Sequence, residues 1–256
     1  CGSKYLGGFK AGTQKIEMLV KQRFPQARVL RMDFDTTRTK DSYEKILQAF
    51  ASQEADILIG TQMIVKGHDF PNVTLVGVLA ADMSLHVADY HAAERTFQLL
   101  TQAVGRAGRG QLPGQAVIQT YDPEHFAIQT AKAQDYESFY QHEIAYRKMM
   151  HYPPIWNMLL VHCMGKNEQI TQQTAQLMAD KLQSAIKRSN RPVLLVGPAD
   201  ATIAKVNDIY RKVLYMKAAD YQTLVALKDA LEQFGKKTNA FSNVTIQFDF
   251  NPSSGF

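Results

Sequence analysis

The stretch Gln102-Ala103-Val104-Gly105-Arg106-Ala107-Gly108-Arg109-Gly110 places two arginines three residues apart among glycines. A guanidinium is always charged and presents a planar fork of donors that matches phosphate oxygens. Glycines on either side admit close approach of the backbone. An arginine so placed against a γ-phosphate stabilises the charge that develops in phosphoryl transfer. A basic helix end that complements the helix dipole would explain Arg or Lys here. It would not explain the whole pattern Q-x-x-G-R-x-G-R-G. The other chemically able residues are weaker signals. Asp33 and Asp35 invite an acid–base reading, but capping of a turn after a strand explains them more simply. His68 stands alone, as a packed or hydrogen-bonded histidine does. Cys163 lies in the apolar run 158–164 and reads as a buried thiol. Cys1 is followed by glycine, as the last cysteine of a zinc knuckle often is, yet one ligand cannot hold a metal.

The elements that position these residues follow from periodicity. Helical patterns at 14–23, 41–51 and 91–104 alternate with short apolar runs at 28–32, 56–60, 73–80 and 115–120. Nearly all-apolar strands separated by helices imply a parallel sheet covered on both faces, hence an open α/β lobe. Ligands of such sheets sit outside the carboxyl ends of the strands. Asp33-Phe34-Asp35, Gly60-Thr61-Gln62 and Ala81-Asp82 all fall there. Residues 123–150 read as helix until Tyr152-Pro153-Pro154 stops it, which sets a domain boundary at 150/151. Beyond it come a strand at 156–164, a helix at 168–187, strands at 192–196 and 211–217, a helix at 221–234 and a strand at 244–250. The order βαββαβ is the split βαβ, or ferredoxin-like, arrangement. Two domains are therefore expected, 1–150 and 151–256.

The 102–110 stretch resembles motif VI of superfamily 2 helicases. Upstream, Gly60-Thr61-Gln62-Met63-Ile64-Val65-Lys66-Gly67-His68-Asp69-Phe70 resembles motif V in the form G-T-Q-M-I/L-x-K-G-H-D-F of the PriA family of primosomal replication-restart DNA helicases. The likeness continues through Gly12-Thr13-Gln14, Arg31-Met32-Asp33-Phe34-Asp35-Thr36-Thr37, Ala93-Glu94-Arg95-Thr96-Phe97 and Gln119-Thr120-Tyr121-Asp122-Pro123. It covers most of residues 1–155. In the remainder it rests on strand order and the closing Asp249-Phe250-Asn251-Pro252. Two positions depart from the family's pattern. Asp89-Tyr90-His91 stands where the family usually reads D-F-R, and Ala103-Val104 stands where it reads V-A.

This resemblance implies a RecA-like second helicase lobe followed by a C-terminal domain like ribosomal protein S10. It implies an ATP-dependent 3′-to-5′ DNA helicase that restarts stalled forks and assembles the primosome. Arg109 would be the arginine finger, Arg106 its partner, and Gln102 the link between nucleotide state and lobe closure. Gly67 and Asp69 would lie on the nucleotide side, Thr61 and Gln62 on the nucleic-acid backbone, and Lys66 on either. ATP and Mg²⁺ would be the cofactors, with zinc held by a cysteine cluster of the full-length protein that Cys1 would complete. Forked and single-stranded DNA, single-strand-binding protein and other primosome proteins would be the partners. No G-x-x-x-x-G-K-S/T or D-E-x-H run occurs in the chain. Those motifs cradle the phosphates and hold Mg²⁺, so the chain is read as a piece of a longer protein whose ATP-binding lobe lies upstream, and is expected to be inactive alone.

Composition is compatible with this reading. The net charge is +5, and residues 151–256 hold 12 Lys and Arg against 8 Asp and Glu, a surplus suited to phosphate backbones. Two cysteines and no leader suit a reducing cytoplasm. No apolar run reaches the length of a membrane span. Two other readings remain open: a binding module for forked DNA or a single-strand-binding protein, with no motor of its own, and a translocase or RNA helicase on the same two-lobe plan. Tyr210, Tyr215 and Tyr221, set among Arg211, Lys212 and Lys217, would serve the first by stacking on bases, although strand-alternating aromatics are more often core.

Overall fold

The computed structural model describes residues 12–38, 40–65, 70–108 and 112–253. They form two compact units, one from residues up to Leu85 together with Arg95–Asp135, the other from His86–Glu94 and the chain from Tyr136 onward.

In the first unit, α1 (Thr13–Arg23) stops at Phe24, ahead of Pro25, and is braced by Glu17 and Lys21 at 2.7 Å. Then follow β1 (Val29–Met32), α2 (Lys40–Ala51), β2 (Ile57–Gly60) and a 3-10 turn (Gln62–Val65). After these come β3 (Leu75–Val78), α3 (Asp82–Leu85), α4 (Ala92–Val104), β4 (Gln115–Ile118) and α5 (Phe126–Ala133). The strands pair in parallel, β1 with β2 from Val29↔Ile57 to Met32↔Gly60, and β3 with β4 from Leu75↔Gln115 to Val78↔Ile118. Arg28 and Asp56 join the entries of β1 and β2, with Nη2 to Oδ1 at 2.7 Å. Hydrogen bonds from Arg28 hold the Asp56 carboxyl down to about 2. The parallel α/β arrangement agrees with the apolar strand pattern. Coverage of both faces does not extend to β3–β4, where Leu75 and Val117 are 61% and 51% exposed. An apolar run records that a strand can be buried; whether a layer covers it is decided elsewhere in the fold.

The expected helix over 123–150 is two. α5 ends at Gln134, which adopts φ +54, and α6 (Tyr136–Met150) begins afresh. Gln134 N–H donates to Ala131 O and Asp135 N–H to Thr130 O, so the left-handed residue closes α5 as a glycine would. The two compact units part at this break. The 150/151 boundary marks the end of α6, while α6 itself packs into the second unit. There Arg147, 8% exposed, donates to Glu143 at 2.7 Å, to Glu94 at 2.6 Å and to Pro153 O at 3.1 Å. Tyr90, 7% exposed, donates to Pro252 O and stacks on Tyr152.

The rest of the second unit is β5 (Asn157–Gly165), α7 (Glu168–Ser189), β6 (Val193–Val206), β7 (Ile209–Ala218), α8 (Tyr221–Thr238) and β8 (Thr245–Phe250). The sheet order is β6-β7-β5-β8, with each neighbour antiparallel. This is the ferredoxin-like order expected from βαββαβ. Leu159, Val161 and Cys163 of β5 and Leu214 and Met216 of β7 pack with Ala175, Met178 and Leu182 of α7 and Leu224, Leu227 and Leu231 of α8. Burying side chains of this size contributes about 1.5–3 kcal/mol each. Asn167 caps α7, accepting from Ile170 N–H, and Asp220 caps α8, accepting from Gln222 and Thr223 N–H. β6 is longer than the 192–196 run. It continues through two register shifts into a hairpin that turns at Asn207 and Asp208, with φ of +47 and +60. Such a two-residue turn needs left-handed residues, which Asn and Asp supply.

Candidate nucleotide and nucleic-acid interface

The arginine motif is presented by α4. Thr96, fully buried, donates to Ser84 Oγ at 2.8 Å, and Ser84 donates to Ala81 O, so α4 is tied to the carboxyl end of β3. At its far end Gln102 is exposed and Arg106 half-buried. The winding persists past Val104 through Gly105 N–H to Thr101 O and Arg106 N–H to Ala103 O. Arg106 therefore follows Gln102 by about one helical turn. Gly108 then reverses the chain at φ +73, and its N–H donates to Val73 O. A Cβ on Gly108 would lie 2.5 Å from Gly114 N, and one on Gly114 would lie 2.1 Å from Gly108 N. The two glycines thus let the backbone at residue 108 approach the backbone at residue 114 closely. Gly114 was not singled out in the sequence. Its signal is Pro113-Gly114 immediately before a strand, an ordinary turn pair.

The second cluster lies at the carboxyl ends of β1 and β2. Gly60 closes β2, where a Cβ would sit 2.5 Å from Met32 O. Thr61 and Gln62 follow, both exposed, with Thr61 O accepting from Ile64 N–H. Across from them, Asp33 is a brace and not an acid–base group. Its carboxylate accepts from Thr13 Oγ1 at 2.5 Å, from Thr36 N–H at 3.0 Å and from Arg31 at 3.1 Å. The Thr13 bond, aided by those from Thr36 and the charge of Arg31, holds its carboxyl below the usual range despite burial. Asp35 pairs with Arg38. The capping reading agrees with the geometry of Asp33, which accepts from Thr36 N–H, while Asp35 is engaged by the Arg38 side chain.

A third carboxylate, Asp82, has the most complete set of partners. It is 6% exposed and accepts from Thr120 Oγ1 at 2.6 Å, Tyr121 N–H at 3.0 Å and Asp122 N–H at 3.2 Å. Burial would raise its carboxyl, but these donors outweigh it and keep it low. Asp82 therefore joins the carboxyl ends of β3 and β4. His91 places Nδ1 3.2 Å from Asp89 in the second unit.

Cys1, Lys66, Gly67, His68, Asp69 and Arg109 lie outside the described residues. Of the remaining predicted site residues, the structure places Gln102 and Arg106 together on one helix end and Thr61 and Gln62 together at one strand end. Among the described residues no group of three or more His, Cys, Asp or Glu is arranged to hold a metal, and no helix is long and apolar enough to cross a membrane. The three tyrosines of the C-terminal domain do not form one platform. Tyr215 is half-buried with Leu160 and Val213 on the sheet face away from the helices. Tyr221 packs on Phe250 at 5.0 Å, and Tyr210 lies under Lys205 at 4.9 Å. Sheet packing accounts for Tyr215 and cross-strand pairing with Lys205 for Tyr210, while Tyr221, at the start of α8, stays 41% exposed.

Residues 8–111 match the helicase conserved C-terminal domain family, and residues 148–253 match the primosomal protein N C-terminal domain family. Replication restart protein PriA of Bacillus subtilis is 44% identical over 98% of the chain, and that of Synechocystis is 41% identical over 99%. PriA of Haemophilus influenzae is 33% identical over 98%. The chain spans about a third of the length of these relatives, 31%, 30% and 34%. With both domain families matched in order, and the arginine turn at the end of α4 falling within the first of them, the chain belongs to the PriA family of replication restart proteins.

Proposed function

We propose that this chain supplies the second motor lobe and the C-terminal domain of an ATP-dependent 3′-to-5′ DNA helicase that restarts stalled replication forks and assembles the primosome in the cytoplasm. The observation that carries this reading is the turn at the end of α4, where Gln102 and Arg106 lead into the close backbone approach of Gly108 and Gly114. ATP with Mg²⁺, when bound, supplies a phosphoryl group whose transfer to water concentrates negative charge on its oxygens. Arg106 and Arg109 are the groups of this chain suited to that charge, with Gln102 transmitting their position along α4. Gly67 and Asp69 would border the nucleotide. Thr61 offers a hydroxyl and Gln62 an amide to phosphates of the tracked strand, contacts without sequence preference, and Lys66 would serve either side. The phosphate cradle and the zinc cluster belong, in this reading, to other parts of the full-length protein, with Cys1 as one zinc ligand.

The test is Arg109→Ala in the full-length protein. DNA-stimulated ATP turnover should fall by about 10³ or more, with nucleotide binding kept within a few-fold. Turnover that survives within a few-fold would sink the finger assignment.

The basic surplus of the C-terminal domain favours a second reading, recognition of forked DNA or of a single-strand-binding protein. Lys187 and Arg188 end α7, and Lys236 and Lys237 end α8. Fluorescence anisotropy of the chain with forked and duplex DNA over a salt series decides it, since binding through these cations must weaken steeply as salt rises.

A further inference from the structure

Phe34 is 79% exposed although it sits in one of the most firmly braced turns of the first unit. Asp33 N–H donates to Thr36 Oγ1, Thr36 N–H donates to the Asp33 carboxylate, and Thr37 donates to Asp33 O through both N–H and Oγ1. Thr13 locks the same carboxylate from α1. The turn that carries Phe34 is thus fixed at several points while its ring stands in water. A lone exposed apolar side chain needs no explanation. An aromatic held out on a rigid turn at the ligand-binding end of a parallel strand is a different matter.

The register identifies what lies beside it. Met32 of β1 pairs with Gly60 of β2, so Asp33 and Phe34 leave β1 at the same end of the pair at which Thr61 and Gln62 leave β2. Charge at this edge is balanced. Among the described residues Arg31 is shared between Asp33 and Glu17, Glu17 also pairs with Lys21, and Arg38 is paired with Asp35, three cations against three carboxylates. The edge therefore neither repels a nucleic-acid strand nor draws it in by net charge. What it offers is a hydroxyl, an amide and a free aromatic face, and every base has a π-face able to stack on such a ring.

We propose that Phe34 stacks on a base of the single DNA strand whose backbone Thr61 and Gln62 contact. The proposal rests on the assignment of that strand to the β1–β2 edge. It makes the edge a base-holding platform, indifferent to sequence, in addition to a set of phosphate contacts.

The test is binding of the chain to fluorescein-labelled oligo-dT and to an abasic strand of equal phosphate number, across a salt series. Phe34→Ala should weaken oligo-dT binding roughly tenfold and remove the preference for oligo-dT over the abasic strand. The slope of affinity against salt should stay unchanged, because no phosphate contact is lost. Phe34→Trp should restore affinity and show quenching of the added indole when DNA binds. Tyr121→Ala, which removes another exposed aromatic, 88% exposed at the end of β4, should leave binding within a few-fold. Unchanged affinity in Phe34→Ala, or equal losses in Phe34→Ala and Tyr121→Ala, would overturn the stacking role while leaving the strand assignment in place. Failure of the unmodified chain to bind oligo-dT even at low salt would overturn both.

Discussion

Three residues, Asp33, Asp82 and Gly108, bear most directly on whether the first unit keeps its working edge. Asp82 satisfies one hydroxyl and two backbone N–H groups from the end of β4, so Asp82→Ala removes three part-buried hydrogen bonds, each contributing about 0.5–1.5 kcal/mol. A loss of about 3 kcal/mol in the first unit is expected in urea unfolding at neutral pH. The carboxyls of Asp33 and Asp82 both titrate below their usual value. The unfolded chain therefore takes up these protons first as pH falls through about 4. Their contribution to stability is full above that pH and is lost as pH falls through the lower native values. Asp82→Asn should flatten this acid dependence, and an unfolding midpoint that fell as steeply with pH in the variant would count against it. At Gly108 the constraint is steric. With φ +73 and Gly114 N only 2.5 Å from any Cβ, Gly108→Ala must shift the loop base. ATP turnover in the full-length protein should drop at least tenfold while circular dichroism stays near that of the parent, since the strain is local.

Among the elements, α6 is the one whose allegiance the contacts decide. Arg147 on its last turn is 8% exposed and is shared by Glu143, 6% exposed, and Glu94 at the start of α4. Removing the cation leaves Glu143 buried without its partner, a change that costs about 3–5 kcal/mol. Arg147→Ala should destabilise the second unit by that order, and Arg147→Lys should recover only part, because an ammonium cannot reproduce the fork that spans two carboxylates and Pro153 O. Thermal melts of the three proteins give the comparison; equal midpoints would show the pair to be unimportant.

For the whole chain, the two units differ in how much core each possesses. The second closes a four-stranded sheet over two long helices with Leu159, Met178, Leu214 and Leu224 fully buried. The first has two-stranded parallel pairs, one with an exposed apolar face. Denaturant should therefore produce two transitions, with the fluorescence of Trp156, packed on His151 in the second unit, following the later one. A chain begun at residue 151 retains β5 to β8 but lacks Tyr90, Glu143 and Arg147. Its Trp156 transition should come at lower denaturant than in the intact chain; an identical midpoint would argue that α6 and the 86–94 segment add nothing to the second unit.

Periodicity and punctuation by themselves determined the alternation of helices and parallel strands, the βαββαβ order and the places where α1 and α6 stop. Those features depend on local pattern, on proline and on which face of a segment is apolar. The arginine motif and the Gly60-Thr61-Gln62 strand end were legible for the same reason, because the chemistry sits in consecutive residues. Other features depended on partners distant in sequence. Only the fold showed that Gly108 meets Gly114, that Asp82 ties β3 to β4, that Gln134 breaks a helix without glycine, and that Arg147 draws α6 and the 86–94 segment into the second unit. Phe34 belongs to both accounts. Its position at a strand end could be read from the sequence, but its place on a locked turn at the sheet end that also carries Thr61 and Gln62 was decided by the register of two strands and the reach of Thr13 from another helix.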